Sequence, residues 1–256
     1  MKIAVLVKQV PGSESSLPLS SDQSWIEEGQ VTYVMNPPDN FAIEEALLLK
    51  EKQGDGEVVI VSMGPDRVQK VIKEGLAKGG DRAIHLVESD KIETDPLSLA
   101  TAFASVLNEE NFDLIFTGLQ SDDTGMGQTG VLIGEMLGMS TATLVMETDV
   151  QSDAIRVKRE LESGWFQWVS LPLPASLSIQ SGLNTPRYPS LKGIMGAKKK
   201  EIKKVSAADV MGDSRLQTID KVFVPQTTKQ TEVIDGDADA TVSRIVEILK
   251  SDLKVL

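Results

Sequence analysis

A chain of 256 residues, 41% hydrophobic and 25% charged, has the composition of a soluble globular protein with room for one large core and an appendage. Its net charge of −12 speaks against a nucleic-acid partner, and the lack of cysteine excludes disulfides, thiolate catalysis and cysteine-held metal or iron–sulfur centres. One histidine, His85, is too few for an imidazole zinc site; no apolar run is long enough for direct membrane insertion, and MKIAVLVKQV lacks the length and cleavage site of a leader.

In chain order, IAVLVK (3–8) and EVVIVSM (57–63) are apolar, β-branched runs followed by loops, the pattern of buried parallel strands. Between them NFAIEEALLLKEK (40–52) has the wide apolar face of a helix, with Asp39 as its expected N-cap. A hairpin over roughly 24–35 is expected to interrupt this first crossover. The alternation then repeats: helix 66–78, strand 82–88, helix 95–108, strand 113–117, helix 128–138. It predicts an α/β fold, a Rossmann-like parallel sheet covered by helices on both faces. His85 falls within a buried-type strand and is expected to be structural.

After about residue 140 the rhythm changes. TATLVMETDV, AIRVKRELES, WFQWVSL and ASLSIQ follow one another without a helix and predict antiparallel or mixed strands. Trp165 and Trp168 in them read as core or subunit-interface residues. NTPRYPSLKGIMGAKKKEIKK predicts a long loop, 215–237 a polar linker, and 239–253 a final helix with Val242, Ile245, Val246 and Leu249 on one stripe. From Arg187 to Lys204 the net charge is +6, against −18 for the rest of the chain.

The stretch Gly125-Met126-Gly127-Gln128-Thr129-Gly130 spells G-x-G-x-x-G. A dinucleotide fingerprint follows its strand directly and belongs to the first βα unit. Here an acidic insert separates strand from glycines, in a late unit, so a nicotinamide site is disfavoured. The local chemistry still suits an anion, because glycines admit close backbone approach and the N–H groups opening the next helix point at whatever lies above them. The loops at Val7–Gln9, Asn36–Asp39 and Ser62–Pro65 would share its crevice.

Several stretches carry a family likeness: IAVLVKQV, MNPPDNFAIEEALLLKE, VVIVSMGPD, LAKGGDRAIHL, DLIFTGLQSDD with GQTG, VKRELESGWFQWVSLPLPASLSI, and TPRYPSLKGIMGAKKKEI. Together they resemble the β subunits of electron transfer flavoproteins over at least residues 1 to about 210; no single one would suffice. The resemblance implies a nucleotide-binding fold related to adenine-nucleotide α-hydrolase-like proteins. The nucleotide domain would span 1–210, with a recognition loop at about 187–204, and an extended arm of linker and helix, 211–256, would pack on a partner subunit. It also implies a heterodimer with an α subunit that holds most of one FAD.

In such β subunits an AMP is buried for structure; in electron-bifurcating relatives a second FAD takes its place. The resemblance assigns the pocket to Leu6, Val7, Lys8, Asn36, Pro37, Pro38, Asp39 and Met63, with Asp123, Gly125, Gly127, Gln128, Thr129 and Gly130. Bifurcating members tend to read D-G-D-T-A-Q-V-G where this chain reads D-T-G-M-G-Q-T-G, which favours AMP. Ser163 and Ser176 depart from the family's usual choices. Pro38 and Ser13 stand where some members place aromatics near the flavin.

The implied activity is electron carriage, with no catalytic residue or metal of its own. Electrons would come from acyl-CoA or other flavin dehydrogenases and go to a membrane quinone oxidoreductase, in the cytoplasm or, in a eukaryote, the mitochondrial matrix. Leu191, Ile194 and Met195 would anchor the dehydrogenase and Lys198, Lys199 and Lys200 steer it, since exposed apolar side chains beside a charge cluster mark an interface. A nucleotide-binding regulatory module of similar fold and a nicotinamide dehydrogenase are the readings from other classes.

Overall fold

The first strand sets the layers. In β1 (Lys2–Leu6) Ile3 and Val5 point to one side of the sheet and Ala4 and Leu6 to the other, and all are buried. The computed structural model describes residues 1–88, 93–212, 215–225, 231 and 233–256. After β1 come β2 (Gln9–Pro11), β3 (Tyr33–Met35), α1 (Pro37–Gln53), β4 (Glu57–Gly64), α2 (Gln69–Lys78), β5 (Arg82–Val87), α3 (Pro96–Leu107), β6 (Leu114–Gly118) and α4 (Thr129–Met136). Then follow β7 (Ser140–Val150), β8 (Ala154–Glu160), β9 (Phe166–Pro172), β10 (Ala175–Ile179), α5 (Leu191–Ala197), β11 (Ile202–Ser206) and α6 (Ala238–Glu247).

The main sheet runs β11-β5-β4-β1-β6-β10-β7-β8-β9. It is parallel from β11 to β7, and β7, β8 and β9 then pair antiparallel. Helices α1 and α2 cover the Ile3 and Val5 side and α3 and α4 the Ala4 and Leu6 side, so the α/β architecture with helices on both faces is observed. The chain divides into two compact units, Met1–Val222 and Phe223–Leu256. In the second, Asp237 caps α6 through the Ala240 N–H, and no residue of that helix is buried. Of the linker-like stretch 215–237, residues 226–230 and 232 lie outside the described residues.

Several elements differ from expectation. Helix α1 starts at Pro37, with Asn36 rather than Asp39 as N-cap, because proline suits the first helical position and frees Asp39 to serve as an internal ligand of its own turn. The hairpin over 24–35 is not formed. Instead β3 pairs with β2 across an intervening loop, Gln9 opposite Met35 and Pro11 opposite Tyr33. The basic stretch is no loop either: Ser190 caps α5 by accepting from the Gly193 N–H, and β11 adds to the sheet edge beside β5. Trp165 and Trp168 are exposed rather than core, Trp165 by 73%; Arg156 stacks over Trp168 at 4.4 Å and Lys158 over Phe166 at 4.4 Å.

Helix α4 crosses β7 and β10 at backbone distance. A Cβ on Gly134 would strike the Thr141 methyl and sit 2.9 Å from Ser176 Cβ. Gly134→Val should therefore destabilise the fold by roughly 1–3 kcal/mol, as overpacked sites do, read from the urea midpoint at unchanged m-value.

Candidate nucleotide site and docking segment

Between β1 and β6 the order of connection reverses: β4 and β5 lie to one side of β1, and β6 and β10 to the other. Such a reversal leaves a crevice beyond the carboxyl ends of the strands. The crevice holds about 1020 Å³ of space free of protein atoms, open solvent at its mouth included. Leu6, Val7, Lys8, Asn36, Asp39, Met63, Gly127, Gln128, Thr129 and Gly130 line it; Pro37, Pro38, Asp123 and Gly125 do not.

Those four contribute at one remove. Asp123 pairs with the Lys8 ammonium at 2.7 Å, and Pro38 packs where a Cβ on Gly118 would lie 2.8 Å from its own Cβ. Pro37 opens α1, and Gly125 turns the loop with φ 63°. Gly127 repeats that left-handed φ of 63°, a conformation glycine takes without strain. Gly130 serves packing, since a Cβ there would come within 2.6 Å of Thr117 Oγ1.

The polar side chains are largely occupied with one another. The Asn36 amide donates to Asp39 Oδ1 and to the Gln120 carbonyl, both at 3.0 Å, and its oxygen accepts from the Asp122 N–H. Asp39 Oδ2 accepts from the Lys8 N–H at 2.6 Å. Lys8 Nζ also reaches Ser121 Oγ at 3.2 Å and Thr124 Oγ1 at 3.3 Å. What remains for a ligand is backbone, apolar surface and the side chains of Gln128 and Thr129. Gln128, the N-cap of α4, makes no side-chain capping bond, and Gln128, Thr129 and Gly130 at the start of the helix line the crevice, so no cap takes up the first-turn N–H groups there. Leu6, Met63, Leu99 and Phe103 form the apolar wall. Uncapped N–H groups at one end and an apolar slot at the other are a donor set that fits a nucleotide phosphate and base.

Sequence reasoning missed Arg67, Glu88, Glu93, Thr94, Leu99 and Phe103 in the lining. Arg67 stacks over Tyr33 at 3.8 Å and donates to Gln9 Oε1 at 2.6 Å and Glu28 Oε2 at 3.2 Å. Burial pushes Asp39 up to about 7, against the Lys8 N–H and Asn36 amide that favour its charge, and burial likewise pushes Glu88 up to about 7. Burial also works to raise Glu93, but the Asp95 and Thr94 N–H groups and Arg215 hold it below the usual range. His85 is buried, with Nε2 at 2.9 Å from the Gly64 carbonyl, and burial holds its pKa down. Among the described residues no helix is long and apolar enough to cross a membrane, and no cluster of acids and histidine could hold a metal.

Helix α5 lies on α2, where a Cβ on Gly193 would strike the Ala77 carbonyl oxygen. Its outer face presents Leu191 and Met195, 82% and 71% exposed, with Ile194 beside them, and Tyr188, 94% exposed, just before it. Lys198 and Lys199 are exposed. Lys200 differs: its ammonium donates to the Leu76 carbonyl at 2.9 Å and to that of Gly80, closing the carboxyl end of α2. That ammonium is a structural cap.

Residues 24–210 match the family model described as the electron transfer flavoprotein domain. The chain belongs to the electron transfer flavoprotein family, with its β subunits. It is 33% identical over 259 residues to the electron transfer flavoprotein subunit beta of Methylophilus methylotrophus, across 97% of this chain and 98% of that one. The corresponding subunit of Bradyrhizobium diazoefficiens is 37% identical over 258 residues and the full length of both chains. That of Mus musculus is 34% identical over 237 residues, 91% of this chain and 92% of its own.

The carboxyl of Asp39 makes stability depend on pH. Its folded value lies above its unfolded one, so the native state holds more protons between them; the stabilisation is complete below about pH 4 and is lost as pH rises through about 7. In nucleotide-free protein, the stability difference between wild type and Asp39→Asn should move against wild type over that window, by at most about 1.4 kcal/mol per pH unit. Urea titrations at several pH values measure it; a flat difference would mean that the N–H donors balance burial, and a reversed one that they outweigh it.

Proposed function

We propose that the protein is the β subunit of a heterodimeric electron transfer flavoprotein that holds a structural AMP in the β1–β6 crevice. The observation that carries the reading is the coincidence of an uncapped α4 terminus, the left-handed Gly125 and Gly127, and an apolar slot at the reversal point of a family member's sheet. In this reading the N–H groups of the Gly127–Gly130 stretch take the phosphate, while Leu6, Met63, Leu99 and Phe103 cover the base and exclude water. The Asn36–Asp39 pair keeps the loops in place. The D-T-G-M-G-Q-T-G loop supports AMP over a second FAD.

An α subunit would supply the flavin, which when bound carries the redox chemistry. This chain would contribute position: the exposed aromatics of β9 and the uncovered face of α6 suit burial against that subunit. Leu191, Ile194 and Met195 on α5, with Lys198 and Lys199, would receive flavin dehydrogenases such as those oxidising acyl-CoA. Electrons would leave toward a membrane quinone oxidoreductase. The cytoplasm, or the mitochondrial matrix of a eukaryote, is the corresponding compartment.

Nucleotide extraction and mass spectrometry should return one AMP and one FAD per heterodimer. Two flavins would instead establish the bifurcating type, and ATP or NAD a different class. Gln128→Glu, an isosteric change that sets a carboxylate against the phosphate, should lower AMP occupancy by about tenfold or more while the melting temperature of nucleotide-free protein holds. Full occupancy in that variant would move the phosphate elsewhere.

The docking reading has its own measurement. Leu191→Ala should remove about 1–3 kcal/mol of docking energy and slow stopped-flow reduction by an acyl-CoA dehydrogenase, with flavin content unchanged. Replacing Lys198 and Lys199 should lower the rate chiefly at low ionic strength. An unchanged rate with lost thermal stability would make α5 a core element.

A further inference from the structure

Past β11 the chain is fastened to the rim of the crevice by buried carboxylates. Glu93 lines the crevice and its side chain is only 2% exposed. Its Oε1 accepts from the Thr94 N–H at 2.8 Å and the Asp95 N–H at 2.9 Å, and its Oε2 takes Arg215 through Nε at 3.0 Å and Nη2 at 2.5 Å. Asp95, the N-cap of α3, gives Oδ1 to the Ser98 N–H and Oδ2 to the N–H groups of Leu216 and Gln217, at 3.3 and 3.0 Å.

The segment is fastened again at Val222, whose N–H donates to the Gln23 carbonyl at 2.9 Å. Gln23 sits in the loop between β2 and β3, and Glu28 of that loop holds Arg67, another member of the lining. One fastening therefore lies by the β5 and α3 side of the crevice and the other by the β1 and β4 side. Between them residues 216–221 are exposed. Seven peptide steps reach at most about 24 Å, and the ends of β5, β4 and β1 span about 10 Å, so the segment is long enough to pass over that part of the opening.

We propose that residues 215–222 form a strap across the mouth of the crevice, latched by Glu93 and Asp95, which must unlatch before a nucleotide enters or leaves. The proposal rests on the nucleotide reading above. The strap's own groups are exposed, so water replaces the bonds that Arg215, Leu216 and Gln217 lose on opening; the cost falls on the two carboxylates. Opening is then a local event, far below the cost of unfolding the sheet. It also separates exchange from affinity, because neither Arg215 nor Val222 lines the crevice.

Full-length protein, with any subunit that purifies alongside it, is stripped, reloaded with radiolabelled AMP, and followed for uptake and for release into unlabelled AMP. Arg215→Ala undoes one fastening, and Val222→Pro removes the donor of the other. Each should speed uptake and release together by about tenfold or more, the loss of a hydrogen bond to a charged group, and should leave the dissociation constant nearly unchanged; Arg215→Lys should restore slower exchange in part. Faster amide exchange at Leu216 and Gln217 in Arg215→Ala would accompany it. Unchanged rates in both variants overturn the strap while leaving the nucleotide site intact. Faster release alone, with affinity lost in proportion, overturns it too and makes Arg215 a stabiliser of the bound state. Failure of wild-type protein to take up AMP removes the nucleotide reading and the strap with it.

Discussion

A buried carboxyl group organises the crevice. Asp39 is buried at the first turn of α1, and the Lys8 N–H, the Asn36 amide and the Gly118 N–H converge on it. Those donors come from the end of β1, the entry to α1 and the end of β6, the elements that meet where the strand order reverses. A Cβ on Gly118 would strike Asp39 Oδ1, so close approach there is part of the same arrangement. Asn36 extends it by holding the Gln120 carbonyl and the Asp122 N–H, which fixes the loop leading to α4. Lys8, Asn36, Asp39 and Asp123, which the resemblance assigns to a ligand, are thus already partnered within the protein. They shape the crevice and leave its backbone, its apolar side chains and those of Gln128 and Thr129 as the remaining lining.

The same economy explains the basic stretch. Of its seven cations, Arg187 is held by Glu44 and Glu51, Lys200 closes the end of α2, Lys203 meets Glu109 and Glu110, and Lys204 meets Asp66. Among the described residues only Lys192, Lys198 and Lys199 of the seven have neither an ion pair nor a side-chain hydrogen bond. Glu44 is buried, so Arg187 compensates a charge that would be costly alone, and in doing so it pins the approach to α5. The local charge reversal is mostly structural, and the cations free to act at a distance all lie on or beside α5.

The parallel core was legible because β-branched runs and wide-faced helices alternate at regular spacing. The parts that were not legible failed for particular physical reasons. Helix α5 has Ser190 as a cap and Leu191, Ile194 and Met195 at helical spacing, but Gly193 and Gly196 lower its propensity; close packing on Ala77 requires the first of them. The β2–β3 pair joins residues more than twenty apart, which no local turn signal announces. Arg67, Glu88 and Glu93 enter the lining because β4, β5 and the start of α3 end at one edge, a consequence of topology that spacing along the chain does not carry.

The G-x-G-x-x-G spelling shows how one motif can arise from different constraints. In a dinucleotide fingerprint the glycines follow the strand at once, so that the turn itself delivers the helix to the pyrophosphate. Here β6 ends at Gly118 and α4 begins at Thr129, and the loop between them is tied down by Lys8 and Asn36. Gly125 and Gly127 supply two left-handed turns that bring this longer loop back to the crevice, whereas Gly130 is there because Thr117 and Ser178 leave no room for a Cβ. The helix terminus arrives at the crevice by a separate route. The shared spelling therefore reports the need for close backbone approach to the sheet edge, and the remaining walls of the crevice come from β4, β5 and α3.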